Sequence, residues 1–102
     1  MPNETSIVEK KKQTTRQIKE PGKFKVIVHN DDVTTVEFVV LMLISVFKYD
    51  ENMAFDLALD IHKSGSAVAG TYPYEVAEQK GIDATSMARL NGFPLIIKVE
   101  AE

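Results

Sequence analysis

At 102 residues, with 44% apolar and 26% charged side chains, the chain has the make-up of a single globular domain with a modest core. It has no cysteine, which excludes a disulfide framework, a thiolate metal site and a cysteine nucleophile. Charge is divided unevenly: residues 1–22 hold five Lys/Arg against three Glu, while residues 23–102 hold seven basic against twelve acidic side chains. An acidic body argues against nucleic acid as the main partner, and the absence of an apolar run of membrane length or of a signal-peptide core argues against a membrane partner or export. The expectation is a cytoplasmic protein.

Residues 1–22 scatter Ile7, Val8 and Ile18 among Thr, Gln, Lys and Glu and close on Pro21-Gly22. So little apolar surface cannot offset the entropy of ordering, so this stretch is expected to be a mobile extension ahead of a folded body at 23–102. From Lys23 to Val28, Phe24, Val26 and Val28 alternate with Lys25 and Ile27, the period of a half-buried strand. His29 falls on the Lys25 face and is expected at the surface. Thr34 and Glu37 fit a capping box, with Val33 and Phe38 as its hydrophobic staple, so a helix should run from Thr35 to about Phe47. Phe38, Val39, Met42 and Val46 give it a helical stripe, which Leu41, Leu43 and Ile44 are expected to widen.

Asp50 suits the N-cap of a second helix, with Ala54, Leu57, Ala58 and Ile61 on its apolar face and Gly65 as its left-handed stop. Ser66 to Tyr72 reads as a short second strand. Pro73 opens a third helix, with Val76, Ala77, Met87, Ala88 and Leu90 as its expected buried side, and Asn91-Gly92 ends it. Leu95 to Val99 is a last strand. The order β-α-α-β-α-β predicts an α+β domain: a small, three-stranded, mainly antiparallel sheet with three helices on one face.

The chemistry concentrates at Asn30-Asp31-Asp32, pinned between the first strand and the first helix. Such a run is usually a turn with a solvated helix start, since Asn and Asp favour turns and negative charge suits a helix N-terminus. No phosphate-cradling loop and no nucleophile motif is present. Asp31, Asp32 and His62 as a divalent-metal site lack the ordered oxygen spacing of a calcium loop, so no metal and no cofactor is assigned. A primary ammonium suits the residues better. It presents three N–H donors, and the Asn30 amide oxygen, the Asp31 carboxylate and a neutral His62 nitrogen are three acceptors. Val39, Ala58 and Ile61 would form an apolar hollow beside them, provided the loop and His62 meet in the fold.

The run from Phe24 to Val39 (Phe-Lys-Val-Ile-Val-His-Asn-Asp-Asp-Val-Thr-Thr-Val-Glu-Phe-Val) resembles the signature of the ClpS adaptors of the Clp protease system. Four further blocks agree in order: residues 59–65, 67–70, 74–80 and 88–95, so that the likeness spans roughly residues 23–100. The resemblance implies a non-enzymatic adaptor that binds proteins beginning with Leu, Phe, Tyr or Trp and delivers them to a ClpA- or ClpC-type AAA+ unfoldase coupled to ClpP. It implies that Asn30, Asp31 and His62 hold the substrate's α-amino group, and that Asp32 and Thr34 shape the site. Val36, Val39, Ala58, Ile61 and Leu95 would line the side-chain pocket. Glu75 and Lys80 would lie on the face that docks the unfoldase's N-domain, and the N-terminal extension would serve delivery.

Two departures from the family pattern bear on specificity. Val36 stands where the family often has methionine, a residue that screens out β-branched first residues, and Ala58 also replaces a residue that is often larger. Both enlarge the expected pocket toward Ile and Val. Pro73 replaces a threonine suited to helix capping. The alternative reading is a homologue that docks on the unfoldase as a regulator without selecting N-termini. A metal-assisted hydrolase using Asp31, Asp32 and His62 stands behind both.

Overall fold

The computed structural model describes residues 22–102, so the expected mobile extension lies, except for Gly22, outside the described residues. Six elements follow in the expected order: β1 (Lys23–His29), α1 (Val36–Phe47), α2 (Glu51–Ser64), β2 (Ser66–Pro73), α3 (Tyr74–Leu90) and β3 (Ile96–Ala101). The strands form one sheet in the order β2-β1-β3, and both pairings are antiparallel. The α+β expectation therefore holds.

β1 is central because its alternation gives it one wholly apolar face. Val26 and Val28 are fully buried and pair with Val99 and Ile97 on one side and with Gly70 and Ala67 on the other. Lys25, Ile27 and His29 point to the opposite face, since successive strand residues alternate. His29 is half-buried there, and its Nε2 is enclosed without a hydrogen-bond partner. The register slips between Val26 and Ile27, which leaves Ala69 as an extra residue in β2. Its carbonyl accepts the Tyr49 hydroxyl at 2.6 Å, tying the α1–α2 turn to the bulge.

Side-chain caps open α1 and α2, with one correction, whereas α3 follows Pro73 with no side-chain cap. Thr35, not Thr34, caps α1: its hydroxyl accepts the Phe38 N–H at 3.1 Å, and Val33 is exposed rather than stapled to Phe38. Thr34 is instead held in the preceding turn, where its N–H and its hydroxyl both donate to the Asp31 carboxylate at 2.7 Å. Asp50 caps α2 by accepting the Met53 N–H, and Gly65, at φ 95°, closes it in the left-handed region, as expected.

Two expected buried faces are also corrected. In α1, Phe38, Val39, Met42, Leu43 and Phe47 are buried, but Leu41 is 57% exposed and does not widen the stripe. In α3 the buried line is Ala77, Gly81, Ala84 and Ala88, whereas Val76 is exposed and Leu90 is 87% exposed. Small residues let α3 lie close on the sheet. A Cβ at Gly81 would stand 3.3 Å from the Val99 Cγ2, so glycine here allows the close approach. The close approach thus selects the small-residue face of α3 over its larger apolar side chains.

Candidate functional site

The site is assembled where β1 ends. The Asn30 N–H donates to the Gly65 carbonyl at 2.8 Å, so the Asn-Asp-Asp loop is tied to the last turn of α2. His62 is exposed three residues before Gly65. The backbone bond thus ties the loop to the end of the helix that carries His62.

The loop is shaped chiefly by Asp31. Its Oδ1 accepts the Val33 N–H at 2.8 Å and the Thr34 N–H at 2.7 Å, and its Oδ2 accepts the Thr34 hydroxyl. Partial desolvation pushes the Asp31 pKa up, but the bonds from Thr34 and Val33, with the Arg89 guanidinium nearby, outweigh it and leave it below the usual 3.8. Asp31 is thus an ionised brace for the turn. Asp32 beside it is exposed, and its carboxylate has no side-chain hydrogen bond among the described residues.

The apolar side lies along the seam of α1 and α2. Val39, Ala58, Ile61 and Leu95 belong to one continuous buried cluster, with Val36 half-buried against it. Leu95 is held from α3: the Arg89 Nη1 donates to the Leu95 carbonyl at 2.8 Å and to the Phe93 carbonyl at 3.0 Å, and the Phe93 ring packs 5.0 Å from that of Phe38. Arg89 is a contributor that the sequence reading did not assign. The available signal was a lone arginine in the last turn of a helix that precedes the Asn-Gly turn and Leu95. Beyond Val36, an open hollow of about 330 Å³ is lined by Val36, Glu37, Val40, Leu41 and Phe55.

The two residues assigned to unfoldase docking have different surroundings. Glu75 is exposed in the first turn of α3. Lys80 is half-buried; its Nζ donates to the Val46 carbonyl at 2.9 Å and sits 5.4 Å above the Tyr72 ring and 5.9 Å from that of Phe47. It binds α3 to the end of α1 and to β2. Among the described residues no group of three His, Asp or Glu side chains is gathered as a metal site, and no helix is long and apolar enough to cross a membrane.

The structure thus sets a small antiparallel sheet with helices and a carboxylate-braced loop, hydrogen-bonded to the end of α2, alongside a buried apolar cluster. The chain matches the family model for the ATP-dependent Clp protease adaptor protein ClpS over residues 19–98. The ATP-dependent Clp protease adapter protein ClpS of Clostridium acetobutylicum is 44% identical over 91 residues, covering 89% of each chain. That of Campylobacter jejuni is 43% identical over 94 residues, covering 90% of this chain and 98% of the relative. The structure of Agrobacterium tumefaciens ClpS2 bound to L-phenylalaninamide superposes with a TM-score of 0.79 at 36% identity, over 81% of this chain and all of that one. The chain belongs to the ClpS family of Clp protease adaptor proteins.

Proposed function

We propose that this adaptor binds proteins through a free α-amino group and a bulky hydrophobic first residue (Leu, Phe, Tyr, Trp, and Ile or Val in addition) and delivers them in the bacterial cytoplasm to a ClpA- or ClpC-type unfoldase working with ClpP. The observation that carries this reading is the ligand of the structural relative. L-phenylalaninamide has a free amine and an aromatic side chain, and its carboxyl is an amide, so it mimics a first residue with its peptide bond.

In this chain the Asn30 side-chain oxygen, a loop carboxylate and a neutral His62 nitrogen accept from the ammonium. Asp31 is that carboxylate: its Oδ2 accepts only the Thr34 hydroxyl and keeps capacity for the amine while Oδ1 braces the turn, and Asp32 with Thr34 shapes the site. Val36, at the mouth, admits the first side chain to a seam walled by Val39, Ala58, Ile61 and Leu95, where apolar burial supplies the affinity. Glu75 is the exposed group offered to the unfoldase; Lys80 acts there through the position it gives α3.

Fluorescence anisotropy with a labelled Leu-initiated peptide and its N-acetylated twin tests the reading. Binding of the free amine alone is the expected result. Equal binding of the two, or none by either, would overturn N-terminal recognition.

A further inference from the structure

Two large apolar side chains on neighbouring helices stand outside the core that their helices build. Leu41 is 57% exposed on α1, and Phe55 is 49% exposed on α2, next to the buried Ala54 and one turn before the buried Ala58. Such exposure costs solvation free energy, and apolar groups gathered at one place, unlike ones scattered singly, point to a binding surface. Leu41 and Phe55 are gathered: with Val36 and Val40 they line the hollow of about 330 Å³, and Glu37 is its one charged lining residue. Val36 also packs against the buried cluster of Val39, Ala58, Ile61 and Leu95, where the proposed function puts the first side chain.

We propose that this hollow is a subsite for the side chain of the substrate's second residue, selecting an apolar residue and rejecting an acidic one. The inference rests on the reading of the chain as an N-terminal-residue adaptor. Phe55 lies seven residues back along α2 from His62, roughly 10 Å. An extended peptide advances about 3.5 Å per residue, so if the chain held at His62 and Asn30 runs back along α2, a long second side chain and the Phe55 ring together close the remaining distance. The charge of the occupant is set by the surroundings. Asp31 and Asp32 precede α1 and Glu37 lies in its first turn, a negative rim complementary to a peptide's ammonium end and repulsive to Asp or Glu at the second position.

The test is competition for a labelled Leu-Ala-initiated peptide by unlabelled peptides with Ala, Phe or Asp second. The Phe peptide should bind about five- to tenfold more tightly than the Ala peptide, and the Asp peptide several-fold more weakly. Phe55→Ser combined with Leu41→Ser should abolish the Phe advantage while holding the Leu-Ala affinity within about twofold, because both positions are exposed. Glu37→Gln should reduce the Asp penalty. Equal affinities for Ala and Phe, or a Phe advantage that survives the double variant, would overturn the subsite and leave first-residue recognition standing. Failure of every free-amine peptide to bind would overturn the functional reading and the subsite with it. Sedimentation covers the rival occupant: a wild-type dimer that the double variant dissolves, with no second-residue effect on binding, would assign the hollow to a second copy and overturn the proposal.

Discussion

The backbone N–H of Asn30 donates to the carbonyl of Gly65 at 2.8 Å, joining the end of the central strand to the end of α2. Gly65 can offer that carbonyl because its φ of 95° turns the chain out of the helix at once. The residue before Asn30, His29, is paired with Ser66 in the sheet, so the bond extends the β1–β2 ladder by one rung across the top of α2. A substituent at Gly65 would find open space but a strained backbone. The position therefore links strand register to the spacing of Asn30 and His62.

The Asp31–Thr34 brace gives a prediction on both stability and binding. Thr34→Val removes the hydroxyl that Asp31 accepts, at a cost of about 1–2 kcal/mol, and lets the loop drift from its cradle shape. Since the folded-state pKa of Asp31 is depressed, its contribution to stability is present above the unfolded value near 3.8 and is lost as pH falls through the folded value. The variant should have less of that contribution at neutral pH, and its acid-unfolding midpoint should move to higher pH. Circular dichroism during acid titration reads the shift, and an unmoved midpoint would remove Thr34 from the brace.

His62 should serve the ligand as an acceptor. An unprotonated imidazole nitrogen can take one of the three N–H groups that an ammonium presents. His62→Ala should therefore weaken binding of a Leu-initiated peptide by about tenfold or more, as anisotropy titration reads it. An unchanged affinity in the variant would remove His62 from the site.

Val36 should govern tolerance of β-branched first residues. Wild type is expected to bind an Ile-initiated peptide within about tenfold of the Leu-initiated one, and Val36→Met to widen that gap by about another tenfold through a filled mouth. Paired anisotropy titrations of the two peptides measure it. No detectable binding of the Ile peptide to wild type would show that Val36 and Ala58 do not widen the pocket.

Glu75 and Lys80 should separate in their effects. Glu75→Ala alters an exposed side chain and should leave stability within about 0.5 kcal/mol while weakening delivery to the unfoldase. Lys80→Ala removes a charged donor to the Val46 carbonyl and a cation over two rings, and should cost about 1.5–3 kcal/mol of stability. Denaturant melts beside a degradation assay distinguish the two. A Lys80 variant of wild-type stability that fails in delivery would assign Lys80 a direct contact.

Much of the architecture was legible from the chain alone, because the signals are local. Strand alternation in β1, the Asp50 cap and the Gly65 stop each depend on a few neighbouring residues, and they place the elements in order. The family motifs carried the assignment of the site further, by position. Tertiary structure decided what depends on competition or on distance along the chain. The capping-box spacing points to Thr34, and only the Asp31 turn, which holds the Thr34 N–H and hydroxyl, shows that Thr35 takes the cap. The apolar residues of α3 do not reveal that the sheet accepts only its Ala-Gly-Ala-Ala line, since close approach rewards small side chains over large ones. The meeting of Asn30 with the end of α2 likewise required the β1–β2 register, a pairing of residues more than thirty positions apart.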